Sequence, residues 1–390
     1  MTRVLHVSDY ETGGGAESVF QDTIASSRAL GHRVETLTAN GRRNALSYVW
    51  SWKSYNRMQQ VLRQFKPDIV HLHNYYHALS PSILQALRQH RKSHGVKVVY
   101  TAHDYHLVSP NSGLQIFRHD KPRNVTPSSP VLRNLWRFDS RSPLYSALKV
   151  TQWLIAYKFL RLDHVLDLIV APSEFMRSVL EEFQVPTGVT VIRNPVPSSD
   201  AALQDRQTTQ SSDPHLNSVT YFGRIEPEKG VLDALRILLE NGIGVDVFGA
   251  GSDTNKVMEL CETYASSCRY FGPVKRSELF ARLSSYNVLI YPSQWLENAP
   301  LAIIEGALHG LRIVAPNIGG CAEMARLTSG YNLYDPESAG SLLRAVSAAL
   351  EQTEENQVLD PDRFLLSTYR HDLSETYSIV QSAGTHRDVR

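Results

Sequence analysis

The sequence predicts an α/β protein of two domains, each a parallel sheet covered by helices. Three observations lead there. Short apolar runs alternate with stretches of helical spacing, as where Val4 to Ser8 is followed by Val19, Ile24 and Leu30, and such alternation marks parallel strands joined by crossover helices. The alternation gives way to a polar stretch from Ser198 to Asn217 and begins again at Ser218. A chain of 390 residues is long enough for two cores. The expected layout is a first domain over 1–197, a linker over 198–217, a second domain over 218–362, and a terminal helix and tail over 363–390.

Bulk properties narrow the class. At 42% hydrophobic and 20% charged residues, the composition is that of a soluble globular protein. Net charge is +1, but residues 1–200 hold 24 Lys+Arg against 15 Asp+Glu and the remainder 16 against 24, so the halves face different partners. Cys261, Cys268 and Cys321 lack metal-ligand spacing and cannot all pair, which points to a reducing compartment. No run approaches the ~18 apolar residues of a membrane span, and Asp9 comes too early for a signal peptide. The expected location is the cytoplasm.

In the first half, the run Val4 to Ser8 leads through Gly13-Gly14-Gly15 into a helix, where glycines let backbone approach a phosphate at a helix N-terminus. A plain tight turn fits the same residues, and the dinucleotide fingerprint Gly-x-Gly-x-x-Gly is not present. Strands are expected at Asp68 to His73, Val96 to Tyr100, Leu168 to Ser173 and Val189 to Pro195, with a helix over Ile83 to Arg91. Ligands of parallel sheets gather at the carboxyl ends of strands, which here carry His73, Asn74, His103 and Asp104. From Arg118 to Arg161 the alternation breaks, and nine Lys+Arg face two Asp among interleaved aromatics such as Trp136, Tyr145 and Trp153. That stretch fits an anionic membrane surface or a helix packed on its own domain; no nucleic-acid motif accompanies it.

The second half opens with Ser218 to Phe222, followed at once by Gly223-Arg224 and Lys229-Gly230. Two cations five residues apart on a loop at a strand end can neutralise a departing diphosphate without a metal. Further strands are expected at Gly244 to Phe248, Tyr270 to Gly272, Val288 to Pro292 and Ile313 to Ala315. Between the last two lies Glu297-Asn298-Ala299-Pro300-Leu301-Ala302-Ile303-Ile304-Glu305, whose carboxylates are expected about two turns apart on a helix that begins near Pro300. Free N–H groups beside carboxylates suit a ligand with both phosphates and hydroxyls, a nucleotide sugar; an ordinary strand-to-helix junction fits too. Spacing along a helix disfavours a double-displacement glycosidase, which needs carboxylates about 5 Å apart. Asp360-Pro361-Asp362 is expected to cap the helix over Phe364 to Ile379, and no bound metal or cofactor is expected.

Two glutamates bracketing seven residues, followed by Gly310 and the strand Ile313-Val314-Ala315, resemble the signature of the retaining glycosyltransferases of family 4. Gly14-Gly15-Ala16-Glu17, His103-Asp104, Gly223-Arg224 with Lys229-Gly230, and Gly319-Gly320 with Glu323 match that family as well. The resemblance implies the GT-B architecture, two Rossmann-like domains with a cleft between them and a last helix that crosses back to the first. It implies that Arg224 and Lys229 grip a donor diphosphate together with N–H groups at Gly14, Gly15, Asn298, Ala299 and Leu301, with Pro300 in the same donor-binding loop. It places the base at Val274, ribose hydroxyls at Glu305, donor-sugar hydroxyls at Glu297, and His103 against the transferred sugar, with His73, Asn74 and Asp104 toward the acceptor. Cys321, Ala322, Gly306 and Arg312 depart from common family residues. The implied activity is transfer from a nucleoside-diphosphate sugar to a glycan or lipid-linked acceptor, with peripheral membrane contact through 118–161. A sugar-nucleotide epimerase, a phosphorylase and a non-catalytic sugar-nucleotide-binding module remain as alternatives on the same architecture.

Overall fold

A computed structural model describes residues 1–39, 44–118, 121–196, 218–354 and 356–382. The expected linker over 198–217 and the tail after Gly384 lie outside the described residues. The chain divides into two compact units, Met1–Pro195 with Leu366–Arg390, and Val196–Leu365.

The first unit is built on β1 (Arg3–Ser8), β2 (Arg33–Thr38), β3 (Ile69–Leu72), β4 (Lys97–Thr101), β7 (Leu168–Ala171) and β8 (Val189–Val191), while β5 (Gln115–Arg118) and β6 (Lys121–Asn124) form a separate hairpin. The six run parallel in the order β2-β1-β3-β4-β7-β8. Helices cover both faces of such a sheet, which is why β3 is buried at every residue and reads as a continuous apolar run interrupted by His71. The terminal helix, Leu366–Ser382, returns to this sheet as expected. Its Tyr369, Leu373, Tyr377 and Val380 lie on one face and pack against Val4, Val19, Ile69 and Val99.

Between β6 and β7 the chain forms a 3-10 turn at Leu132–Asn134, then a helix at Pro143–Trp153 that widens into a π-helical stretch at Leu154–Phe159. Ser142 caps it, accepting the Tyr145 N–H at 3.2 Å, and Pro143 takes the first turn where its missing N–H costs nothing. The segment is two-sided. Phe138, Val150, Trp153 and Tyr157 are buried, whereas Leu132, Trp136, Leu144, Tyr145 and Phe159 are at least half exposed. Two of its cations meet a buried acid: Lys149 and Arg141 each reach the Asp139 carboxylate at 2.8 Å. Burial opposes ionisation of Asp139, but the hydrogen bonds from Arg141 and Lys149 outweigh it and hold that carboxyl well below the usual range.

The second unit carries β9 (Val219–Phe222), β10 (Val245–Phe248), β11 (Cys268–Gly272), β12 (Val288–Ile290), β13 (Arg312–Pro316) and β14 (Tyr331–Tyr334), parallel in the order β11-β10-β9-β12-β13-β14. Two expectations change here. Asp360 precedes only the 3-10 turn Pro361–Phe364 and its carboxylate takes Arg363 at 2.6 Å, so it does not cap the terminal helix. Phe364 instead belongs to the second unit, where it is buried and its carbonyl accepts the Val196 N–H at 2.9 Å. Cys261 and Cys268, brought within 4.7 Å at Cα by the turn from helix Thr254–Thr263 into β11, are joined as a disulfide, contrary to the expectation of reduced thiols; Cys321 is free and buried.

Candidate active site

In the second unit, β9, β10 and β11 end side by side in Gly223, Gly249 and Gly272, with the Gly249 N–H donating to the Gly272 carbonyl at 2.9 Å and the Gly223 N–H to Phe248 at 3.1 Å. The result is a floor of backbone at the carboxyl edge of the sheet, where ligands of α/β sheets bind. The loop after β9 is pinned by Tyr221, whose hydroxyl donates to the Arg224 carbonyl at 2.6 Å, and it leaves the Arg224 side chain exposed. It closes with a turn at Pro227–Lys229 and with Gly230 at φ +63°, where a Cβ would strike the Pro292 carbonyl. Only glycine fits there. The turn aims Lys229 at Glu297.

These two side chains are ion-paired, 11% and 17% exposed. Glu297 also accepts the Ser293 hydroxyl at 2.9 Å, and Lys229 reaches the Tyr291 hydroxyl at 3.4 Å. The expectation that both glutamates lie along one helix does not hold. The helix is Leu301–Leu308 with Pro300 at its N-cap, so Glu297 sits in the preceding loop and Glu305 alone is helical. That loop is held by the next helix, Gly319–Arg326: the Gly320 N–H donates to the Glu297 carbonyl at 2.8 Å, and a Cβ on Gly320 would run into the Asn298 carbonyl. The Gly319-Gly320 pair therefore shapes the acidic loop. Asn298, Ala299 and Leu301 are partly buried along it.

Glu305, 13% exposed, pairs with Arg276, a residue that sequence reasoning missed. Burial raises the Glu305 pKa and Arg276 opposes the rise. Arg276 opens the helix Arg276–Leu283, two residues beyond Val274, and its guanidinium lies 5.0 Å from the Phe280 ring centre. No spacing rule links positions 276 and 305, so only the fold reveals the pair.

In the first unit, Gly14 caps the helix Gly15–Ala29, but its N–H already donates to the Glu17 carboxylate at 2.7 Å. That corrects the expectation of a vacant anion site at Gly14, since Glu17 supplies the negative charge that a helix N-terminus favours. His73 is also corrected: it is fully buried and cannot line an acceptor surface. Its Nδ1 meets His103 Nε2 at 2.8 Å. Burial lowers the His103 pKa to about 4, so its imidazole is neutral. Asn74 and Asp104 are half-buried. The Asp104 carboxylate accepts the Tyr76 hydroxyl and, at 2.9 Å, the His106 N–H, and burial pushes its pKa up to about 6. Nearby, the Asp9 carboxylate accepts three consecutive backbone N–H groups, those of His77, Ala78 and Leu79, at 2.6–2.7 Å, which fixes the loop after β3.

His6, His71 and His73 gather in this core closely enough to suggest a metal. Their orientation argues otherwise: His71 uses Nδ1 on the Tyr377 hydroxyl and Nε2 on Thr101, both at 2.7 Å, and its ring stacks on His73. With both of its nitrogens occupied, His71 has no lone pair to offer an ion.

Residues 13–200 match the profile described as Glycosyltransferase Family 4, and residues 205–361 match Glycosyl transferases group 1. Among curated proteins, the lipopolysaccharide 1,2-N-acetylglucosaminetransferase of Salmonella typhimurium is 23% identical over 51% of this chain and 57% of its own length. Glycogen synthase of Mycobacterium tuberculosis is 25% identical over 74% of this chain and 61% of its own. The match thus spans less than two thirds of each of these relatives. Two solved structures share the fold: a glycosyltransferase from Rickettsia africae (TM-score 0.65, 16% identity, 97% of this chain and 98% of that one) and Anabaena HepE in complex with UDP and glucose (TM-score 0.62, 16% identity, 97% and 100%). With two consecutive profiles covering residues 13–361 and a parallel α/β sheet in each unit, this chain belongs to glycosyltransferase family 4 and has the GT-B fold.

Proposed function

We propose that the protein transfers a sugar from a nucleoside-diphosphate donor to an acceptor hydroxyl with retention of anomeric configuration. The observation that carries this reading is the Lys229–Glu297 pair, held nearly dry beside a glycine-floored strand edge with Arg224 exposed on the same loop. In this reading Arg224 and Lys229 meet the charge that grows on the departing diphosphate, which supplies without a divalent ion the stabilisation such a leaving group needs. Glu297, released from Lys229, accepts hydroxyls of the donor sugar, and Glu305, released from Arg276, accepts the ribose hydroxyls. Backbone groups at Val274 and at Asn298 to Leu301 hold the base and phosphates. His103 lies against the transferred sugar; Asn74 and Asp104 face the acceptor. HepE, a structural neighbour, was solved with UDP, which supports a nucleotide donor.

A panel of nucleotide sugars tests it. The cognate donor at about 100 times its Kd stabilises the protein by about 2.7 kcal/mol, seen as a raised Tm, and transfer continues at full rate in EDTA. A panel that shifts nothing, or a rate abolished by chelator, overturns the reading.

The acceptor, in the same reading, is attached to a membrane lipid. Among the described residues no helix is long and apolar enough to cross a membrane. What supports surface contact is the outer side of 118–161, where exposed Leu132, Trp136, Leu144 and Phe159 stand among exposed Arg133, Arg137 and Arg141. Binding to vesicles containing anionic lipid is expected to fall at least tenfold in a Trp136→Ser, Leu144→Ser, Arg133→Gln variant, at ~1 kcal/mol per cation near the surface plus the lost apolar insertion. Neutralising Lys149 instead disturbs Asp139, so it is the wrong probe. Unchanged sedimentation with vesicles refutes the contact.

A further inference from the structure

We propose that His73 is a positioning residue that donates from Nδ1 to His103 Nε2 and thereby fixes the His103 proton on Nδ1. The inference rests on the reading of His103 as the group beside the transferred sugar, and it names what presets that group.

The two rings are nearly coplanar, 21° apart, with centres 5.1 Å apart, as expected when the 2.8 Å contact is a hydrogen bond lying in the plane of both imidazoles. His73 has little freedom. His71 stacks on it at 4.7 Å and 25°, the Phe20 edge meets it at 5.1 Å, and His71 is itself held at both nitrogens by Tyr377 and Thr101.

One proton lies between the two facing nitrogens when both rings are neutral, and its owner can be deduced. Burial keeps both rings neutral. His73 Nε2 is sealed from solvent and has no hydrogen-bond partner. If His103 were the donor, the His73 proton would sit on that nitrogen as a buried N–H without an acceptor, the rarer and costlier defect. With the proton on Nδ1, Nε2 carries only a lone pair. His73 is therefore the donor, His103 Nε2 accepts, and the other His103 nitrogen carries an N–H. Whatever group faces that nitrogen, in the protein or on a sugar, meets a donor and not a lone pair.

The test uses the full chain with 15N-labelled histidine. Long-range 1H–15N correlation spectra report the tautomer of each imidazole, and His103→Gln assigns the signal. The expected result is the Nδ1–H tautomer at His103 in the wild type and in His73→Asn, whose amide N–H takes the place of Nδ1–H. His73→Leu is expected to yield mixed tautomers and a kcat about tenfold to a hundredfold lower, with donor KM within about twofold. His73→Asn restores most of the rate. An Nε2–H tautomer in the wild type, or a His73→Leu enzyme with wild-type kcat, overturns the proposal. Should His73→Leu fail to fold, the wild-type and His73→Asn spectra decide it. A wild type that shows this tautomer but transfers no sugar refutes the functional reading and leaves the positioning role standing.

Discussion

Between pH 6.5 and pH 5 the first unit is expected to lose several kcal/mol of stability, a large share of the reserve of an ordinary domain. Five histidines of that unit, His6, His71, His73, His103 and His106, are held below the usual imidazole range, burial being the largest cause in each case. His6 is pushed to about 3 and His103 to about 4. In the unfolded chain each takes a proton near its ordinary value of about 6.5. Below that pH the unfolded state binds more protons than the folded one, so stability that is fully present above it is lost as the solution becomes acid. A ring that stays neutral in the fold loses about 1.4 kcal/mol for each pH unit below that value. Asp104 works the other way, since its raised folded pKa of about 6 makes protonation favour the fold, but it is a single group. Urea denaturation at pH 7.5, 6.5, 5.5 and 5.0 checks the slope, and His71→Asn removes one proton from it. A midpoint that stays level across this range shows that these rings accept protons while folded.

The second large effect separates chemistry from packing. Lys229→Met removes the partner of a nearly buried carboxylate and is expected to cost about 2–4 kcal/mol of stability, as breaking a largely desolvated pair does. Turnover should fall about tenfold to a hundredfold, because a charged hydrogen bond to the leaving diphosphate is worth about 1.5–3 kcal/mol and is needed most at the transition state. The double variant Lys229→Met, Glu297→Gln leaves no buried charge unpaired, so it recovers most of the stability while turnover stays low. Recovery of both would assign the pair a purely structural role. Melting curves and single-turnover transfer rates on the wild type and the two variants distinguish the outcomes.

How much of this was legible beforehand depended on whether the determinant was local. Strand positions were, because Val219 to Phe222 or Ile313 to Ala315 are apolar runs too short for helices and flanked by turn residues. The loop chemistry at Gly223-Arg224 and Lys229-Gly230 was visible as a spacing. Pairing was not. Glu305 with Arg276 spans 29 positions and Lys229 with Glu297 spans 68, and which cation meets which acid is decided by how helices dock on the sheet. The occupied N–H of Gly14 could have been read from Glu17 three residues on, whose carboxylate reaches back to the N-cap N–H as in half of a capping box. His73 looked like a strand-end ligand because its position just after β3 was clear, whereas the Phe20 ring that covers it comes from a helix packed by tertiary contacts. Cys261 and Cys268 are seven residues apart, and only the turn between helix and strand brings them together.

The hydroxyls of Tyr369 and Tyr377 reach Thr23 at 2.6 Å and His71 at 2.7 Å, across separations of 346 and 306 residues. On the ribosome, the first half of the chain therefore emerges without the helix that closes one side of its sheet. At ~5–20 residues per second, the roughly 170 residues of the second unit take ~10–35 s to follow. Throughout that interval Val4, Ile69 and the buried imidazoles lack a covering surface, so vectorial synthesis leaves an apolar seam open until that helix has been made.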